Sequence, residues 1–116
     1  MISPLTAVQF ENAVRDELEG QRKVIDGFKG RFEKHPREAL MMCNNLFLAV
    51  AVLEVYTSAL RTFQLGQNTV TEQADFQEEL AKHAVSTSAT MPDFMMQVGM
   101  KQARQDMALL LRRVLA

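Results

Sequence analysis

The stretch that decides the fold is Ala39–Leu53, ALMMCNNLFLAVAVL, fifteen consecutive residues without a charged side chain. It lies in a longer segment, 37–65, that contains neither proline nor glycine and is predicted to be helical. A helix in water needs a polar face along its whole length, and this one lacks such a face for about four turns. Other polypeptide must therefore cover most of its surface.

Proline, glycine and capping residues divide the chain into four predicted helices. Pro36 is typical of the first position of a helix, and Gly66 is typical of the residue after its end. Capping boxes at Thr6–Gln9 and Thr69–Glu72 predict two further helix starts. The predicted fold is all-α, a four-helix bundle with two long N-terminal helices, about 4–32 and 36–65, and a shorter C-terminal hairpin, about 70–85 and 92–115, all within one domain, 1–116.

Composition and charge limit the possible classes of protein. The chain is 47% hydrophobic and 23% charged, which is ordinary for a folded globular domain. Its net charge of -1 gives no general attraction to nucleic acid or to an anionic membrane. The single cysteine, Cys43, cannot form a disulfide within the chain, which favours a reducing compartment and a cytoplasmic location.

Two kinds of membrane-related segment are not predicted. The first basic residue is Arg15, and no continuous apolar block lies before it, so we expect no signal peptide. The charge-free stretch ends at Glu54 after fifteen residues, whereas a membrane span needs about twenty. We therefore predict no membrane span.

Residues for catalysis or ligand binding do not form a recognisable pattern. Cys43 has no adjacent base and no glycine-rich turn, and the chain has no glycine-rich phosphate loop. The two histidines, His35 and His83, lie in different segments, and neither completes the Glu-x-x-His motif of carboxylate metal bundles. Arginine near the C-terminus is too sparse for a DNA-binding stripe. We predict a non-enzymatic protein with no cofactor, no metal and no nucleic-acid partner.

The N-terminal half of the second predicted helix is the half that lacks intrachain cover. The third helix turns back from the other end and can cover only the C-terminal half, so the cover must come from the fourth helix, a second copy or another protein. A homodimer is the simplest solution, because bundles commonly complete their cores in this way. The predicted dimer interface comprises Leu40, Met41, Asn44, Leu46, Phe47 and Val50.

Methionine is concentrated at the start of the fourth predicted helix. Five of the eight methionines fall between Met91 and Met107. Because thioethers adapt to varied surfaces, methionine-rich faces recur on proteins that bind amphipathic segments. Loose core packing and a role at a membrane surface are the alternatives. The predicted partner-binding residues are Met91, Phe94, Met95 and Val98.

Two further patterns predict helix packing. Gly20 and Gly27 lie seven residues apart on one helix face, which indicates either close approach of another backbone or a mildly frayed helix. The third helix is acidic and the end of the fourth is basic, so an antiparallel hairpin brings opposite charges together and fixes its register. The charged residues are Glu72, Asp75, Glu78, Glu79, Arg104, Arg112 and Arg113.

The segment Phe32–Pro36, FEKHP, joins one amphipathic helix to a second. This arrangement resembles the helix–Pro–helix plan of type III secretion needle and rod subunits over about half of the chain, and does not account for the third and fourth helices. The resemblance implies a structural subunit of a larger helical assembly, needle-like, rod-like or phage-like. The residues themselves favour a different expectation, a homodimeric chaperone or adaptor whose partners are itself and a helix of another protein.

Overall fold

Five α-helices account for most of the chain in a computed structural model that describes residues 4–83 and 90–115. No strand occurs in these two ranges. The predicted all-α class is confirmed. The helices are α1, Ala7–Lys34; α2, Pro36–Met41; α3, Cys43–Leu65; α4, Val70–Lys82; and α5, Met91–Leu115.

The predicted helix ends depend on local hydrogen bonds that the structure contains. The hydroxyl oxygen of Thr6 accepts from the backbone N–H of Gln9 at 3.1 Å, and the Gln9 side chain accepts from the Thr6 N–H at 2.9 Å. Thr69 and Glu72 form the same reciprocal pair at 3.1 and 3.2 Å. Gly66 ends α3 with φ 63°, a left-handed conformation that glycine adopts without a Cβ clash. Both capping boxes and the glycine end are confirmed.

The second predicted helix is divided, which corrects the expectation of one helix over 36–65. The break lies at Met42, whose N–H donates to the carbonyl of Ala39 at 3.1 Å in a tight turn. It separates the six-residue α2 from α3, and α2 packs mainly against α1. Ala39 is fully buried there, so tertiary packing places the break and no proline or glycine marks it. The predicted end of the third helix at residue 85 lies outside the described residues.

The helices are ordered in space as α1, α3, α5 and α4. α1 runs antiparallel to α3, since the Phe10 and Phe63 rings lie 4.5 Å apart at one end while Phe28 and Leu46 line one groove towards the other. α5 packs on another side of α3, and α4 packs on the far side of α5. Within the described ranges α1 and α4 do not touch. The molecule is elongated, 46 × 31 × 28 Å.

The hydrophobic core lies towards one end of this arrangement. Only the first half of α1 contributes fully buried residues, where Phe10 and Val14 pack with the C-terminal half of α3 and with α5. The second half of α1 extends past this core and leaves Val24 and Phe32 exposed. The large side chains that are wholly buried are Phe10, Val14, Met107 and Leu111.

The hairpin of α4 and α5 has the opposite charges expected from the sequence. Nε of Arg112 donates to Oε1 of Glu78 at 3.0 Å, and Nη2 of Arg112 lies 3.0 Å from Oε2 of the same carboxylate. Nη2 also pairs with Asp75. The hydrogen bond from Arg112 lowers the pKa of Glu78, and the same bond raises the pKa of Arg112. This bidentate pair fixes the register of α4 along α5.

The closest approach between helices occurs at Gly99. A Cβ at this position would lie 2.9 Å from Cβ of Ala51 and 3.2 Å from a methyl of Leu48, so glycine permits α5 to contact α3 directly. Cβ atoms at Gly20 and Gly27 would meet nothing within 4 Å. No described residue therefore makes the close approach considered for these two glycines. The contact at Gly99 was not predicted, because a lone glycine in a helix carries no distinctive signal.

We predict that Gly99→Ala destabilises the fold by about 1–3 kcal/mol, because the added methyl overpacks the α3–α5 contact. The matched control Gly20→Ala adds the same methyl into open space and should stabilise α1 by up to about 1 kcal/mol. Denaturant unfolding followed by circular dichroism measures both. Equal effects of the two substitutions would contradict the close contact.

Candidate interaction surface

One end of the molecule exposes a concentration of large apolar side chains. At this end α1 ends, α2 lies across it, and α3 and α5 both begin. We call this surface the open end. Apolar residues exposed in this way mark contact surfaces when they are contiguous rather than scattered. The exposed residues of the open end are Val24, Phe32, Leu40, Met41, Met42, Leu48, Phe94 and Val98.

The predicted dimer residues lie at the open end with different degrees of exposure. Leu40 is 60% exposed and Met41 is 81% exposed, both on the short α2. Asn44 is also exposed. The N-terminal half of α3 is partly covered by α5, which contacts it at Leu48, so some cover does come from the last helix. Leu46, Phe47 and Val50 are half-buried.

Phe47 and Val50 lie on a third side of α3. Leu48 and Ala51 face α5, and Asn45 lines the groove next to α1. Helical periodicity of 100° per residue then places Phe47 and Val50 on the side that faces neither helix. The same side is polar in the C-terminal half of α3, where exposed residues such as Thr57 follow.

The predicted partner-binding residues lie at the same end. Phe94 and Val98 are exposed and Met95 is half-buried; the side chain of Met91 lies outside the described part of the structure. α4 contacts only the later turns of α5, so it leaves this first part uncovered. Because α3 and α5 run parallel, both predicted surfaces meet in one region, which the sequence did not reveal.

A groove between α1 and α3 borders the open end. Its volume is about 200 Å³. The Arg31 side chain crosses one end of the groove, where its Nη1 lies 2.7 Å from the sulfur of Met42. Sequence reasoning missed the α1 side of this groove, although the glycine spacing was a signal for it. The lining residues are Lys23, Val24, Gly27, Phe28, Arg31, Met42, Asn45 and Leu46.

A second cavity, of about 340 Å³, lies between α3, α4 and α5 at the opposite end. The buried Gln73 side chain donates to the carbonyl of Asn68 at 2.9 Å, and the buried Oε1 of Gln77 has no partner among the described residues. Its lining is uncharged and supplies no acid or base. The lining residues are Ser58, Ala59, Thr62, Gln67, Asn68, Gln73, Phe76, Gln77 and Leu111.

Groups suited to metal binding do not converge in residues 4–83 and 90–115. These ranges contain no cluster of three or more histidine, cysteine or acidic side chains with suitable geometry. Cys43 is a half-buried free thiol; His35 is exposed between α1 and α2, and His83 is exposed just after the end of α4. The arrangement offers contact surfaces rather than a set of converging reactive groups.

α3 is long and apolar enough to cross a membrane, judged by length and composition alone. It has 23 residues, and its most apolar window has a mean hydropathy of 1.5. Core helices of water-soluble proteins share this property, so a single such helix is a weak indication. In this window 28% of the residues are buried, which agrees with the incomplete cover of α3. The absence of a membrane span stays a prediction.

Comparisons of the chain with protein-family models, with curated proteins and with solved structures gave no match. Function must therefore be inferred from the surfaces described above.

Tyr56 is the one tyrosine of the chain and has a perturbed hydroxyl. Burial is the main cause that raises its pKa to about 12, and the carboxylates of Asp106 and Glu17 contribute by opposing the phenolate charge. Tyr56 belongs to the buried core, which α1, α3, α4 and α5 form together.

We predict that Tyr56 makes stability pH-dependent between about pH 10, its ordinary pKa, and about 12. In this range the unfolded chain has lost the phenol proton that the folded chain retains, so the free energy of unfolding falls as pH rises. Ultraviolet absorbance gives the folded pKa, and denaturant unfolding gives the slope. Tyr56→Phe is the control, and its free energy of unfolding should fall less steeply as pH rises. Identical slopes for the variant and the wild type would contradict the role of Tyr56.

Proposed function

We propose that this chain is a non-enzymatic helical protein–protein interaction module, a homodimeric adaptor or chaperone that also binds a helix of another protein. The observation that supports the proposal is the open end, where eight large apolar side chains of α1, α2, α3, α5 and the Met42 turn are exposed. Covering such a surface releases about 25 cal/mol for each Å² of apolar area, which favours association over exposure.

The dimer contact proposed here uses α2 and the third side of α3. Leu40 and Met41 project from α2, and Phe47 and Val50 extend the apolar surface along α3 until Glu54 interrupts it. Asn44 lies one turn before Leu48, on the side of α3 that faces α5, and is exposed at the border of this surface. A polar residue in an otherwise apolar helix interface can fix register, because its amide must find a partner when it is buried.

The proposed contact for a partner helix is the first part of α5. Phe94 and Val98 lie one turn apart on α5, about 100–140° around the helix from Gly99, which packs on α3. An amphipathic helix that supplies apolar residues at intervals of three or four could lie along this face. Met95 borders it and offers an adaptable thioether.

A second candidate function is a structural subunit of a larger helical assembly. The order of the helices favours it, because α1 and α4 are the two ends of the order α1, α3, α5, α4, do not contact each other in the described ranges and present different surfaces. A subunit with two different contact surfaces can join head to tail, and such contacts form rings or filaments.

We expect Phe47→Asp to abolish the dimer contact through α2 and α3 and to leave the chain folded, because a carboxylate in that contact would be buried without a partner. Size exclusion with light scattering measures the mass, and circular dichroism tests folding. Thr57→Asp is the matched control, on the same helix but in its polar half, and should leave the dimer intact. A dimer of Phe47→Asp as tight as that of the wild type would rule out this interface.

We expect Phe94→Asp to leave folding and dimerisation unchanged and to weaken binding of a co-purifying helical partner by at least tenfold. Leu109→Asp is the control, because Leu109 is an exposed apolar residue on α5 outside the first turns. Isothermal titration with the purified partner, for wild type and both variants, measures the effect. Equal affinities for the Phe94 variant and the wild type would exclude this face.

A further inference from the structure

The groove between α1 and α3 has a defined charge pattern. Lys23, Gly27 and Arg31 follow one another at intervals of four along one face of α1, so two cations flank a position that has no side chain. No acidic residue lines the groove. Arg31 contacts the sulfur of Met42 and forms no ion pair within residues 4–83 and 90–115, and Lys23 reaches Glu19 only at 3.7 Å on the exposed surface.

Gly27 is not required by the packing of the chain itself. A Cβ at this position would meet nothing within 4 Å, and glycine inside a helix costs about 1 kcal/mol relative to alanine. The space above Gly27 is continuous with the apolar floor formed by Val24, Phe28 and Leu46. This notch therefore suits the close approach of another helix.

The outward face of α4 has the complementary pattern. Phe76 is 60% exposed, and it also borders the cavity between α3, α4 and α5 at the edge of this face. Glu72 precedes it by four residues and Glu79 follows it by three, so both carboxylates lie on the same helix face as the ring. Glu72 caps the start of α4 through Oε1, and Glu79 forms no ion pair among the described residues.

The two patterns also match in length. At 1.5 Å per residue, Lys23 and Arg31 are separated by about 12 Å along α1, and Glu72 and Glu79 by about 10.5 Å along α4. The groove of about 200 Å³ is comparable to a cavity of about 150 Å³ that holds a benzene ring. A Phe76 ring placed over Gly27 would bring each carboxylate towards one of the two cations.

We propose that the groove of one copy of this chain binds the outward face of α4 of a second copy. Phe76 enters the apolar groove, and Glu72 and Glu79 pair with Lys23 and Arg31. Because α1 and α4 make no contact in the described ranges, the α4 face of a chain does not reach its own groove. The contact joins different surfaces of the two copies, so a bound pair retains one free groove and one free α4 face and can add further copies.

This contact goes beyond the proposed dimer, because it needs neither Leu40 nor Phe47 nor Val50. It gives the second candidate function a specific contact. Its ionic part lies at the rim, so association by this route weakens as salt concentration rises.

Two complementary variants test the proposal. Gly27→Glu fills the notch and cancels part of the groove charge, and Phe76→Asp removes the aromatic ring from the α4 face. Both positions are exposed, and circular dichroism verifies folding. Each variant is made in the Phe47→Asp background, so that the proposed dimer does not contribute. We expect sedimentation to show at least tenfold weaker self-association for each variant than for Phe47→Asp alone.

Mixing the two variants gives the decisive result. The Gly27→Glu variant retains an intact α4 face, and the Phe76→Asp variant retains an intact groove. An equimolar mixture should therefore form a pair of twice the 13.1 kDa monomer mass and grow no further. Gly20→Glu and Leu109→Asp are the matched controls and should associate as the parent does. A mixture that stays monomeric where the parent associates overturns the proposal, as does a parent that never associates.

The outcomes separate this proposal from the proposed dimer. Loss of all association in Phe47→Asp supports the dimer and overturns the head-to-tail contact. Association that persists in Phe47→Asp but disappears with Phe76→Asp supports the head-to-tail contact. A charge exchange adds a specific check, since Arg31→Glu and Glu79→Arg should each weaken association and together restore it.

Discussion

The structure depends on the need to cover a helix that has almost no polar face in its first half. α3 carries only small or apolar residues over about two successive turns, Leu46–Leu53, and water cannot solvate that surface favourably. α1 covers one side and α5 a second, and the direct contact at Gly99 brings α5 close enough to do so. No described helix lies on the third side. The need to cover apolar surface, which holds the helices together, is therefore not fully met within the described residues.

The parallel alignment of α3 and α5 determines where the uncovered surface is concentrated. α4 is the shorter helix, with 13 residues against 25 in α5, and it pairs with the later turns of α5 through Arg112. The first turns of α5 therefore extend beside the start of α3, where α1 ends and α2 crosses. The start of α5 is thereby placed beside three consecutive segments, the end of α1, α2 and the start of α3, while Phe10 and Phe63 pack together at the other end.

The open order of the helices separates two surfaces of opposite character. α1 carries cations around a glycine, and α4 carries carboxylates around an exposed phenylalanine. In a closed bundle these two helices would be adjacent and could neutralise each other within one molecule. Here α3 and α5 stand between them, so complementary charge is available only to another molecule. The proposed self-association uses these two surfaces.

The sequence by itself determined the helices and the places where most of them begin and end, because capping boxes, Pro36 and Gly66 act on the backbone within a few residues. It also determined that α3 needs cover, since charge-free composition is a local property. Only the tertiary structure decided the break at Met42, the contact at Gly99 and the meeting of α2, α3 and α5 at one end. These features depend on distances between residues far apart in the chain, and a single sequence records the side chains but not which of them approach each other.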